Sequence, residues 1–218
     1  MGEKLNKDSV VKALLEASFA RSVGATSLVD VAGALGIKKA SLYNHFESRK
    51  DLVDQTTASC KEYIEQISFI PDNISEVAKK YTAESVLRGI VSRYVKMHEK
   101  TPLFQIYTFV ESQKYFDAEA ADIIMRQKEK LVSQCARALT ALADQAKVSL
   151  THETIPAAAL WFCSGLNDLL SQYLLERKKL VMQNPRAGEG ELFDLPAPDE
   201  AELEKMNAYV DKFVLLIK

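Results

Sequence analysis

Between Thr26 and Leu52 the chain reads TSLVDVAGALGIKKASLYNHFESRKDL, and that spacing admits very few folds. Ser27 with Asp30 three residues later forms a capping-box pattern that opens a helix, and Ser48 followed by Asp51 opens another. Between them, Ala32 is small enough for a second helix to approach closely, and Gly36 stands where a tight turn needs a residue tolerant of positive φ. Val31, Leu35, Ile37 and Leu42 are the apolar positions that lock the two helices together. Several spaced requirements met at once predict a helix-turn-helix, with its last helix running from about Lys39 to Phe46.

The rest of the chain shows helical periodicity nearly throughout and little β-type alternation. Eight glycines and six prolines in 218 residues leave long uninterrupted segments. Helices are expected at Ser9–Ser22, from Ser48 to near Pro71, and at Ala83–Glu99, Pro102–Ser112, Ala118–Lys147, Ile155–Val181 and Glu200–Ile217. The stretch NPRAGEGELFDLPAPD, with three of the prolines, is expected to be a long loop. The fold class is therefore all-α: an N-terminal three-helix head, residues 1–52, joined through a long fourth helix to a larger helical body, residues 53–218.

On the helix after the turn, Leu42 and Phe46 point inward at i, i+4 spacing, so Ala40, Ser41 and Asn44 face away, flanked by Tyr43 and His45. Small side chains let a helix lie deep in the major groove, Asn can pair with adenine through two hydrogen bonds, and Ser and Tyr reach phosphate oxygens. Lys38 and Lys39 before this face, and Arg49 and Lys50 beyond it, add positive charge where phosphates would pass. Charge follows the same division: residues 1–50 carry eight Lys/Arg against five Asp/Glu, and the remainder 20 against 25. A basic head on an acidic body points to a polyanion at one end.

The segment from Thr26 to Leu52 resembles the head of the tetracycline-repressor (TetR) family in Thr26, Val31-Ala32, Gly36, Leu42-Tyr43, His45-Phe46 and Leu52. Arg49 keeps a positive charge where that family usually has Lys, and Val29 stands where it often has Arg. The resemblance implies an all-helical homodimer that represses transcription from a double-stranded DNA operator and is released by a small molecule held in the C-terminal body. It also assigns DNA contact to Thr26, Ser27, Lys38, Lys39, Ala40, Ser41, Tyr43, Asn44, His45, Arg49 and Lys50. The family places its ligand cavity among the middle helices, where Tyr94, Met97, Phe104, Tyr107, Trp161 and Asn167 are the candidates here. An aromatic residue at helical spacing is as readily core as pocket, so each of these carries both readings.

The family forms its dimer from the last two helices, and the body offers two suitable faces. AAALWFCSGLNDLLSQYLL is apolar almost all round and must be covered on every side by its own domain and a second subunit. Leu203, Met206, Val210, Phe213 and Ile217 form a seam that fits either an interface or the core of one chain. The effector expected from such apolar helices is hydrophobic or amphipathic.

His98 and His152 have no His, Cys or carboxylate neighbours at metal-ligand spacing and are expected on the surface or in loops. Cys60, Cys135 and Cys163 are odd in number and sit in apolar contexts, which predicts reduced core thiols in a cytoplasmic chain. The first residues have no signal-peptide pattern, and no run is long enough to span a membrane. No Gly-rich phosphate loop, carboxylate pair or Ser/His or Cys/His arrangement suggests an enzyme, and no cofactor is expected. The alternative reading is a helical module that binds a small molecule or partner protein and engages an operator weakly or not at all.

Overall fold

The computed structural model describes residues 6–183 and 200–218, with helices and no strands among them, so the expected loop at 184–199 lies outside the described residues. The chain packs into two compact units, Met1–Ile67 with Thr101–Met125 and Ser68–Lys100 with Arg126–Lys218.

The first unit holds α1 (Lys7–Arg21), α2 (Leu28–Ala34), α3 (Lys39–Leu42), α4 (Arg49–Gln66), α7 (Leu103–Gln113) and the start of α8 (Ala118–Ala143). Asn6 caps α1, its side-chain oxygen accepting the Ser9 N–H at 2.7 Å. Val10, Leu14 and Phe19 bury one face of that helix against α2, α4 and α7, and Phe19 meets Phe104 of α7 edge-on with ring centroids 5.0 Å apart. Along α4, Leu52, Thr56, Cys60 and Ile64 recur every four residues as its buried stripe. Burial pushes the Cys60 thiol up to about 12, and all three cysteines are free and buried.

Two boundaries in this unit differ from the sequence reading. The last helix of the helix-turn-helix was expected to reach Phe46, but the α-helix ends at Leu42 and continues as tighter turns. There the N–H groups of Tyr43, Asn44 and His45 donate to carbonyls three residues back. Tyr, Asn and His hold an α-helix less firmly than Ala or Leu, and the chain must become extended at Ser48, φ −154°, to cap α4. Helix α4 stops at Gln66 because Ile67 is extended, and the next residues, Phe69 and Ile70, are buried in the second unit.

The second unit holds α5 (Ile74–Lys80), α6 (Ala83–His98), the rest of α8, α9 (Ile155–Gln183) and α10 (Glu200–Ile217). Helix α5 has only seven residues, too few for a periodic pattern to show, and sequence reading missed it. Its C-terminal carbonyls are gathered by one cation: the Lys147 ammonium donates to the carbonyls of Ala78, Lys79 and Tyr81 at 2.5, 2.9 and 2.6 Å. Lys147→Met is expected to cost about 1–2 kcal/mol and to expose the α5 amides to hydrogen exchange. Unchanged protection of α5 in that variant would remove this role.

Helix α10 packs on α6 and α9, and the seam at Met206, Val210, Phe213 and Ile217 is buried within this unit. Of the two uses open to that seam, these four positions serve as core, and Leu203, its first residue, is half-buried. Helix α9 is apolar all round but not covered all round: Leu160, Trp161 and Leu175 are 58%, 53% and 60% exposed. His98 corrects a second expectation. It is fully buried at the end of α6, where Nδ1 lies 2.8 Å from the Tyr94 carbonyl and Nε2 lies 3.0 Å from the Gln127 amide nitrogen. Since a carbonyl only accepts, the Nδ1–H tautomer makes both bonds. Among the described residues no helix is long and apolar enough to cross a membrane.

Candidate nucleic-acid interface

The candidate surface is assembled by three local devices. At the start of α2 the Ser27 hydroxyl accepts the Asp30 N–H at 3.2 Å, and the Asp30 carboxylate accepts the Ser27 N–H at 2.8 Å, which closes the capping box. The Ser27 hydroxyl and N–H, and then the Arg21 charge at 2.9 Å, hold the Asp30 carboxyl below its ordinary range. At the turn, Gly36 takes φ 64°, the left-handed conformation that any other L-residue adopts with strain. The Gly36 N–H donates to the Gly33 carbonyl and the Ile37 N–H to the Ala32 carbonyl, both at 3.0 Å, and these bonds turn the chain into α3.

The third device fixes the start of α4. Ser48 accepts the Asp51 N–H at 3.0 Å, and Asp51 accepts the Glu47 N–H at 2.8 Å. Arg49 reaches back to the α1–α2 turn, donating from Nε to the Thr26 carbonyl at 3.2 Å and from Nη2 to the Val23 carbonyl at 2.5 Å. Arg49 thus ties α4 to the turn before α2 through backbone oxygens that sequence spacing cannot reveal.

Leu42 and Phe46 are buried to 1% and 4%, so the expected face of α3 turns outward: Lys38, Lys39, Ala40, Tyr43 and Asn44 are exposed, and Ser41 and His45 half-buried. Beside it lies a bay of about 540 Å³ bounded by Ser27, Lys39, Tyr43, Glu47, Ser48 and Arg49. Five hydrogen-bonding or cationic side chains on its rim, Ser27, Lys39, Tyr43, Ser48 and Arg49, suit a phosphate, and among the described residues Glu47 is the one carboxylate there. Lys50 is exposed and paired with Asp54 at 2.6 Å. Thr26 is different: it is buried, and its hydroxyl donates to the Ser22 carbonyl at 2.7 Å.

The candidate ligand residues are distributed over both units. Tyr94 is buried and its hydroxyl donates to the Asn167 side-chain oxygen at 2.7 Å, so these two are brought together. Met97 is half-buried in the same unit, whereas Trp161 is more than half exposed and sits edge-on to Phe213 at 5.6 Å. Phe104 and Tyr107 belong to the first unit, where Phe104 is core against Phe19. Around Tyr94 the structure adds residues that sequence reasoning passed over. Phe69 meets Tyr94 edge-on at 4.7 Å and stacks on His98 at 5.9 Å, and its N–H donates to Gln134 at 2.8 Å. Their signal was present: Gln127 and Gln134 are polar positions two turns apart on one side of α8, buried to 6% and 8%.

The comparisons with known proteins agree with this geometry. Residues 11–56 match the model of the bacterial regulatory proteins of the tetR family. The biofilm operon icaADBC HTH-type negative transcriptional regulator IcaR of Staphylococcus aureus (strain Newman) is 25% identical over 160 residues, 72% of this chain and 79% of that relative. Among solved structures, a TetR-family transcriptional regulator from Agrobacterium tumefaciens aligns with TM-score 0.59 and 17% identity over 97% of both chains. A transcriptional regulator from Rhodococcus sp. Rha1 aligns with TM-score 0.61 and 10% identity over 98% of both, likenesses that bear on the fold alone. The head geometry and the match across residues 11–56 identify the N-terminal part of this chain as a helix-turn-helix head of the tetR-family type, and over a longer stretch the chain is similar to a negative transcriptional regulator.

Proposed function

We propose that the chain is a ligand-responsive repressor that binds a near-palindromic operator as a homodimer and is released by a small hydrophobic or amphipathic molecule. The observation that carries this reading is the exposed, uncrowded face of α3 beside a basic, hydroxyl-rimmed bay. In this proposal residues 1–52 are the DNA-binding head and 53–218 the regulatory and dimerisation body. Ala40, Ser41 and Asn44 read base edges, while Ser27, Lys38, Lys39, Tyr43, His45, Arg49 and Lys50 position phosphates. Thr26 supports the α1–α2 turn instead of touching DNA, because it is buried and its hydroxyl is given to the Ser22 carbonyl.

Repression is supported by the relative, whose name describes a negative transcriptional regulator. Dimerisation is supported by Leu160, Trp161 and Leu175 on α9 and by Leu215 and Leu216 on α10, an unusual amount of large apolar surface for one body. Two identical heads on a two-fold axis require inverted half-sites about a helical turn or a multiple of it apart. The Tyr94–Asn167 pair is the polar anchor proposed for the effector.

The test begins with operator and random duplexes. Asn44→Ala is expected to weaken operator binding by about 1–2 kcal/mol and to relax preference at one base position, since an Asn–adenine pair is lost. Lys39→Ala should weaken operator and random DNA alike and flatten the salt dependence. A footprint with one unrepeated half-site, or an Asn44→Ala variant with unchanged sequence preference, overturns the corresponding part of the reading.

A further inference from the structure

The second unit carries a cleft of about 560 Å³ between α5 and α6 that does not include Tyr94 or Asn167. Its walls are Phe69, Ile74 and Val77 on the α5 side and Val86 and Ile90 on α6. Among the described residues Arg93 is the only charged one that lines it, and no carboxylate does. The Arg93 Nε donates to the Ser68 carbonyl at 3.0 Å, which fixes the guanidinium beside the cleft, and no described carboxylate forms an ion pair with it. Three acids of the same unit have cations of their own: Glu76 pairs with Lys79, Glu84 with Lys218 and Asp211 with Arg88.

A second observation comes from Gly89, which also lines the cleft. It lies in the interior of α6, where glycine is disfavoured relative to every residue except proline. Close packing does not account for it, because a Cβ built there meets no heavy atom within 4 Å. What its missing side chain does is keep the cleft open along α6.

We infer that the α5–α6 cleft binds an amphipathic aliphatic carboxylate, its chain along the apolar walls over Gly89 and its carboxylate on Arg93. The volume suits a small molecule, and a guanidinium with no carboxylate partner among the described residues, at the end of an apolar wall, selects an anionic head on a hydrocarbon chain. The chain supplies area removed from water; the head supplies direction.

Titration calorimetry of the full chain without DNA tests this separately from operator binding. Decanoate, kept below its aggregation concentration, is expected to bind saturably at one site per chain. Decan-1-ol should bind at least tenfold more weakly, and acetate should not bind. Arg93→Gln should weaken decanoate at least tenfold while leaving decan-1-ol unchanged. Gly89→Leu should abolish binding of both while raising the thermal unfolding midpoint, so loss of the site is told apart from loss of the fold. Absence of saturable decanoate binding, equal affinity for the alcohol, or full binding by Gly89→Leu overturns the inference.

Discussion

Between pH 7 and pH 4 the folded chain is expected to lose about 3 kcal/mol of stability through His98 alone. Burial pushes its pKa down to about 4, with the Tyr94 carbonyl opposing the shift in part, against an ordinary value of 6.5. The sign follows from which state takes up the proton. Above pH 6.5 the imidazole is neutral in both states and contributes no pH dependence. As pH falls from 6.5 toward 4 the unfolded chain binds a proton that the folded chain refuses, so stability declines across that window. The proton has no place in the fold: Nδ1–H already faces a carbonyl, Nε2 accepts from Gln127, and Phe69 and Tyr94 pack around the ring. Urea unfolding of the native chain and of His98→Gln at several pH values isolates the effect from other titrating groups. The stability difference between the two should shift by about 3 kcal/mol across the window; a difference that stays constant means that the imidazole titrates normally.

Gly165→Val is expected to destabilise the second unit by about 2–3 kcal/mol, although it removes a glycine from a helix interior. A Cβ at position 165 would stand 2.5 Å from the Tyr209 hydroxyl and 2.8 Å from the adjoining ring carbon, distances no such pair can keep. Tyr209 cannot simply step aside. Its hydroxyl donates to the Phe162 carbonyl at 2.9 Å, and its ring stacks on Phe162 at 5.4 Å with 21° between planes. Burial, followed by the neighbouring thiols Cys163 and Cys135, pushes the phenol up to about 12, so it is a protonated donor at neutral pH. Displacing it breaks that bond and opens the contact between α9 and α10. A double-mutant cycle with Tyr209→Ala checks the cause: once the ring is gone, Gly165→Val should cost little, giving a coupling above about 1 kcal/mol. Additive effects would mean that the glycine answers to something other than Tyr209.

The head was legible in the sequence because its determinants are local. The capping box of α2 and the Ser48 cap of α4 each join residues three positions apart, the turn is set by the left-handed conformation of Gly36, and the inward side of the helix after it by Leu42 and Phe46 one turn apart. No distant neighbour is needed for any of these, so residue type and spacing settle them. The long helices α6, α8, α9 and α10 were legible for a related reason, since a sustained apolar period leaves little choice of backbone. Tertiary structure decided what the periodicity leaves open. An apolar stripe says that a face must be covered but not by which element. The seam of α10 went to α6 and α9, while Trp161 on α9 stayed exposed and His98, an unremarkable letter in the sequence, became fully buried in the second unit. Arg49 could be read as a cation near DNA, but its hold on the Thr26 and Val23 carbonyls depends on the α1–α2 turn arriving more than twenty residues away in sequence. Local rules are set by bonds that close within one helical turn, whereas burial and buried polar pairing depend on contacts whose partners only the complete fold supplies.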